Sequence, residues 1–142
     1  GHQEVVEVRF DPDQISYGTL LRSYWRNVDP LDGGGQFCDR GDSYRPVIFT
    51  ADAAQAREAE ASAQAAAVEL GQPRSALKVE LRDAARFWRA EDYHQNYAEL
   101  NELNYNFYRF SCGRDRRLDQ VWGDNARGDV AWSKPAEPGR NP

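Results

Sequence analysis

The chain has 142 residues, with 18 Lys+Arg against 23 Asp+Glu, 40% hydrophobic and 12% aromatic residues, two cysteines and no methionine. A domain of this size buries roughly 70% of its unfolded surface, so it needs neither a disulfide scaffold nor a structural metal to hold a core. The net charge of −5 argues against nucleic acid or a membrane surface as partner, since such proteins set excess basic charge against phosphate, and no apolar run approaches the ~20 residues that span a bilayer.

Glu4, Val6, Val8 and Phe10 alternate with Val5, Glu7 and Arg9, which predicts a half-buried first strand. Asp11-Pro12-Asp13 reads as a turn and Ser16 as the N-cap of a helix. Tyr17, Leu20, Leu21, Tyr24, Trp25 and Val28 form one apolar stripe at helical spacing, ending before Pro30. From Asp29 to Arg45 the glycines at 33–35 and 41 and the absence of any period predict a long loop, and its aromatic and cysteine content marks it as functional. Arg45 to Thr50 reads as a second strand, with Pro46 at its start.

Asp52 caps an alanine-rich helix that runs to about Leu70, with Gln55 at the capping-box position and Gly71 closing it. Leu77, Val79 and Leu81 alternate with charged residues as a third strand. Short helices are expected near Asp83–Arg89 and Glu91–Leu103, and the aromatic run Tyr105–Phe110 is expected to wrap over the domain. Beyond Gly123 the chain turns to Gly, Pro, Asn and charge, so residues 123–142 are expected to form a flexible tail after a domain over 1–122. Without a Met, the start at Gly1 suggests that an upstream segment is missing, or that the N-terminus is processed or tagged. The sixteen Arg against two Lys fit a bias of coding composition.

Few residues can carry chemistry. Glu4 shares a strand face with apolar side chains, and a desolvated carboxyl kept protonated is a usable general acid; at a strand end the same group is simply solvated. Asp39 and Tyr44 flank a glycine in the long loop, and His94 and Tyr97 are neighbours three apart on one expected helix face. Tyrosine hydroxyls and an acid can serve a polar oxygen in a dry pocket, although a buried Tyr-His pair is more often simply satisfied by backbone groups. Cys38 and Cys112 are too distant in sequence for a Cys-x-x-Cys pair, and with only His2 and His94 besides no zinc spacing arises, so no metal is expected. Isolated thiols most often behave as small buried hydrophobes.

Four motifs in order resemble the A-type methionine sulfoxide reductases, the peptide-methionine (S)-S-oxide reductases. Gly1-His2-Gln3-Glu4 is similar to the family's Gly-His-x-Glu strand, and Asn27-Val28-Asp29-Pro30 to its Asp-Pro helix exit. Asp39-Arg40-Gly41-Asp42-Ser43-Tyr44-Arg45 is similar to its Asp-x-Gly-x-x-Tyr-Arg loop, and Ala90-Glu91-Asp92-Tyr93-His94-Gln95-Asn96-Tyr97 to its Ala-Glu-Asp-x-His-Gln-x-Tyr helix.

The resemblance implies an α+β two-layer sandwich related to the ferredoxin-like plait, with helices packed on a mixed sheet. It implies that Glu4 protonates the sulfoxide oxygen of methionine-S-sulfoxide, free or in proteins, that Tyr44 bonds that oxygen, that Asp39 orients a water, and that His94 and Tyr97 line the pocket. The family's nucleophile lies in a Gly-Cys-Phe-Trp motif upstream of the Gly-His-x-Glu strand, and no such string occurs here. Cys112 stands where recycling cysteines occur in the family, with Cys38 as the other candidate for the resolving thiol. The resemblance further implies thioredoxin as reductant, no bound cofactor, a monomer and, by default, the cytoplasm. The alternative is a non-catalytic binding domain that retains the sulfoxide pocket.

Overall fold

The computed structural model describes residues 2–133. Its helices are α1 (Tyr17–Trp25), α2 (Ala53–Leu70), α3 (Tyr97–Leu100), α4 (Glu102–Ser111) and α5 (Arg114–Trp122). Its strands are β1 (Gly35–Gln36), β2 (Asp39–Arg40), β3 (Val47–Thr50) and β4 (Glu80–Asp83). This mixture of helices and short strands is compatible with the expected α+β class, but among the described residues the strands form two separate two-stranded ladders in place of the expected mixed sheet. β1 and β2 pair antiparallel, and β3 and β4 pair parallel from Val47↔Glu80 to Thr50↔Asp83.

The central unit is β3–α2–β4, because parallel neighbours need a crossover and α2 supplies it. Asp52 caps α2 by accepting from Gln55 N at 2.8 Å, Gln55 Oε1 returns to Ala51 N at 2.8 Å, and Gly71 closes the helix at φ +64°. α1 starts as expected, with Ser16 Oγ accepting from Thr19 N at 3.0 Å. Ala59, Ala63, Ala66 and Ala67 form a buried stripe on α2. They are small enough to let α1 lay Leu21 and Trp25 against them, and Ile48, Leu77, Val79, Leu118 and Trp122 complete the core. The Trp25 indole N–H donates to Ser62 Oγ at 2.9 Å, so the one polar atom of that buried ring is satisfied.

Several expected elements come out differently. Residues 4–10 form no strand, and Val5, Val6 and Val8 are exposed. Alternation makes a strand only where a neighbour pairs with it, and here the contact to the rest of the backbone is Glu4 N to Ser43 O at 2.9 Å. Where a helix is expected near 83–89, Asp83 ends β4 and residues 84–89 are irregular and exposed, as a short segment with no face to bury must be. The helix expected over 91–103 breaks at Asn96, which has φ +55°, and again at Asn101. The aromatic run 105–110 lies within α4 rather than wrapping as a loop, and α5 follows it.

The stretch expected to be a tail begins with a 3₁₀ turn at Gly123–Asn125. Residues 126–133 run along α1 and α2, where Arg127 N donates to Arg26 O at 2.8 Å and Ser133 N to Glu69 Oε1 at 2.9 Å; residues 134–142 lie outside the described residues. Among the described residues no helix is long and apolar enough to cross a membrane.

Candidate active site

The long loop after α1 is organised by a single buried carboxylate. Asp29 is 5% exposed and accepts from Arg117 Nε on α5 at 2.7 Å and from Leu31 N at 3.1 Å. Its backbone N–H donates to Gln36 Oε1 at 2.9 Å and its carbonyl accepts from Gln36 Nε2 at 2.8 Å, which ties the root of the loop to β1. Trp122 Nε1 donates to Val28 O at 2.9 Å alongside. The Asn27–Pro30 motif thereby fixes where β1 and β2 start and where α5 lies against them.

β1 and β2 make a tight hairpin whose turn residues are Phe37 and Cys38, with Phe37 at φ +54°. Gly35 has φ +151°, and a Cβ there would lie 2.2 Å from Asp39 O, so only glycine fits. The Arg114 guanidinium stacks 4.2 Å over the Phe37 ring and donates to Asn27 O at 3.5 Å. Cys38 is joined to Cys112 by a disulfide with the two Cα atoms 5.4 Å apart. The two cysteines expected to act as separate buried hydrophobes are thus one bridge, and Cys38 is exposed.

Glu4, Asp39 and Tyr44 meet at this hairpin. Asp39 accepts a hydrogen bond from the Tyr108 hydroxyl of α4. Tyr44 is the last residue of a 3₁₀ turn at Asp42–Tyr44, and its phenol is pushed above the ordinary tyrosine range chiefly by the Glu4 charge, then by the Asp39 charge. Tyr108 is pushed up to about 12, first by its hydrogen bond to Asp39 and then by burial. Both phenols therefore stay protonated at neutral pH, and with the two carboxylates they form a polar cluster in which the Tyr44 hydroxyl can hydrogen-bond a polar oxygen. Of the two readings of Glu4 the structure has the solvated one, since the residue is exposed and meets Tyr44 at the surface.

His94 and Tyr97 are not brought into this cluster by any hydrogen bond or ion pair among the described residues. His94 Nε2 lies 3.9 Å from Glu91 and its ring 4.2 Å from that of Tyr93, while Tyr97 is exposed at the start of α3. Sequence reasoning missed Tyr108, although it sits one helical turn before a cysteine inside an aromatic run, and it missed the pairing of the cysteines. Among the described residues no group of His, Cys, Asp or Glu side chains is arranged to hold a metal ion.

Comparison with known proteins bears on what such a cluster serves. The profile described as "Peptide methionine sulfoxide reductase" matches residues 1–126. The chain belongs to the peptide methionine sulfoxide reductase family. It is 45% identical over 131 residues to peptide methionine sulfoxide reductase MsrA 2 of Rhizobium meliloti, covering 92% of this chain and 65% of that protein. It is 52% identical over 123 residues to the MsrA 2 of Caulobacter vibrioides, covering 87% of this chain and 61% of that protein. With peptide methionine sulfoxide reductase MsrA/MsrB of Vibrio cholerae the identity is 43%, over 87% of this chain and 32% of the relative. The chain thus spans less than two thirds of the length of these three relatives. The methionine sulfoxide reductases are oxidoreductases, and all of the residues described here as a cluster lie within the stretch that the family profile matches.

Proposed function

We propose that this chain carries the acid half of a peptide-methionine (S)-S-oxide reductase, and that the attacking cysteine lies on a segment upstream of Gly1. The observation that carries the reading is the meeting of Glu4, Asp39 and Tyr44 at one hairpin in a member of this family. The greater length of the relatives supports an additional segment.

On this reading bound substrate and the further segment cover Glu4, so that its carboxyl holds a proton and delivers it to the sulfoxide oxygen, Tyr44 donates a hydrogen bond to the same oxygen, and Asp39 orients a water at the site. The thiolate then bonds to the protonated sulfoxide sulfur, the oxygen passes from that sulfur to the cysteine sulfur as the new S–S bond breaks again, and the cysteine is left as the sulfenic acid while methionine departs. A second thiol condenses with the sulfenic acid to give a disulfide and water, and thioredoxin exchanges its dithiol for that disulfide. Cys112 or Cys38 supplies that second thiol, and since the two are bridged, a dithiol must first open the bridge.

His94 and Tyr97 form the pocket wall in this reading, which the exposed aromatic surface of Phe87, Trp88, Tyr93 and Tyr97 supports. No bound metal or organic cofactor takes part. The complete protein would be a cytoplasmic monomer acting on free or protein-bound methionine-S-sulfoxide. Its complete sheet would approach the ferredoxin-like plait, with further strands joined to β3 and β4.

The test is the reading frame extended upstream to include a Gly-Cys-Phe-Trp segment, assayed with both sulfoxide epimers and a thioredoxin system. The S epimer is expected to be reduced and the R epimer left. Glu4→Ala is expected to lower turnover by roughly a hundredfold or more, the range of a general acid. Absence of S-epimer turnover, or undiminished turnover in Glu4→Ala, would overturn the reading.

A further inference from the structure

The disulfide and the Tyr108–Asp39 hydrogen bond connect the same two segments. Cys38 and Asp39 are consecutive at the tip of the β1–β2 hairpin, while Cys112 caps α4 with its N–H on Tyr108 O at 2.9 Å, so Tyr108 and Cys112 are one helical turn apart. Little packing holds α4 against the hairpin, and its polar tie to α5 runs through Arg109, which donates to Asp115 at 3.0 and 3.1 Å. None of its residues is buried, and Leu103, Phe107 and Phe110 are 86%, 73% and 79% exposed. Among the described residues no other hydrogen bond or ion pair joins α4 to the hairpin.

We propose that the Cys38–Cys112 disulfide is a redox clamp that holds Tyr108 on Asp39 as a positioning residue, and that reduction releases the tyrosine. In the reduction the S–S bond takes two electrons and two protons from a dithiol, giving two thiols, and the dithiol closes to its own disulfide. The bridge is the covalent tie between α4 and the hairpin, so opening it leaves α4, none of whose residues is buried, free to pivot on its junction with α5. The hydrogen bond alone then competes with water, because Tyr108 is 41% exposed. Asp39 would lose the donor that fixes its carboxylate beside Tyr44, whereas α1, α2 and the β3–β4 ladder do not depend on the bridge. The clamp goes beyond the catalytic reading and does not require it.

The experiment uses the 142-residue chain labelled with ¹³Cζ-tyrosine at neutral pH, oxidised and then reduced with dithiothreitol. The Tyr108 resonance is identified by its loss in Tyr108→Phe, and Asp39→Asn gives its position without the carboxylate. On reduction that resonance is expected to move to its Asp39→Asn position. Amide hydrogen exchange in 102–111 is expected to rise roughly tenfold or more while exchange in α2 stays unchanged. The Cys38→Ser/Cys112→Ser double variant should reproduce the reduced state without added thiol. An unmoved Tyr108 resonance or unchanged α4 exchange would overturn the clamp. So would an equal rise in α2, which would mean that the bridge supports the whole fold rather than one contact.

Discussion

At the scale of single residues the hairpin depends on a backbone position rather than on a reactive side chain. Gly35 stands with its α-carbon against Asp39, and an added methyl would come within 2.2 Å of Asp39 O and 2.9 Å of Arg40 Cα, both backbone atoms that no rotamer can move. Gly41 has a comparable left-handed φ of +117° with no atom within 4 Å of an added Cβ, so it separates backbone strain from collision. Gly35→Ala is expected to destabilise the chain by more than about 1 kcal/mol, and by clearly more than Gly41→Ala, with urea unfolding as the measurement. Equal losses for the two would mean that the hairpin tolerates the methyl by shifting. Asp39, Tyr44 and Glu4 could be singled out from the sequence by their chemistry and motif spacing. The fit around Gly35 was not legible, because it depends on a partner strand reached only through the turn.

At the scale of elements, α1 and α2 were readable because each carries its own boundaries: Ser16 and Asp52 at the starts and Gly71 at the end of α2. α5 left its signal too, in the apolar Leu118, Val121 and Trp122 between Gly113 and Gly123, but its many charges obscured the stripe. The 4–10 segment was misread for the opposite reason, since a strand's period exists without a partner and its burial does not. What joins α1 to α2 is testable at the Trp25–Ser62 hydrogen bond, 2.9 Å long and fully enclosed. Ser62→Ala leaves the indole N–H without a partner and is expected to cost about 1–3 kcal/mol. Trp25→Phe alone removes the donor but leaves a gap, and adding Ser62→Ala to it should cost less than Ser62→Ala does in the parent chain. Strict additivity in urea unfolding would show that the pair contributes nothing as a pair.

At the scale of the whole molecule the least legible feature is a charge pair at its centre. Arg26 is completely buried at the end of α1. Its guanidinium donates to Glu69 on α2 through Nε at 3.1 Å and Nη2 at 2.7 Å, and stacks 4.8 Å from the Trp132 ring centre. Glu69 also accepts from Ser133 N and Oγ, so residues 130–133 lie over the pair. From sequence alone these residues read as a tail, since polar composition is visible but the buried fork that binds them is not. Burial pushes the Glu69 carboxyl up, but the Arg26 and Ser133 donors outweigh it and hold it below the ordinary carboxylate value of 4.5. A carboxyl lowered by folding stabilises the native state above its unfolded value, and that stability is lost as pH falls through the lower folded value. Glu69→Gln removes the charge and leaves Arg26 buried without a counter-ion, so a loss of about 3–5 kcal/mol is expected at neutral pH. Its unfolding free energy should also fall less steeply than the parent's as the pH drops below about 4.5. Urea unfolding of both proteins at pH 7 and pH 3 checks the two statements together. Parallel losses of stability between those pH values would mean that the acid sensitivity arises at other carboxylates.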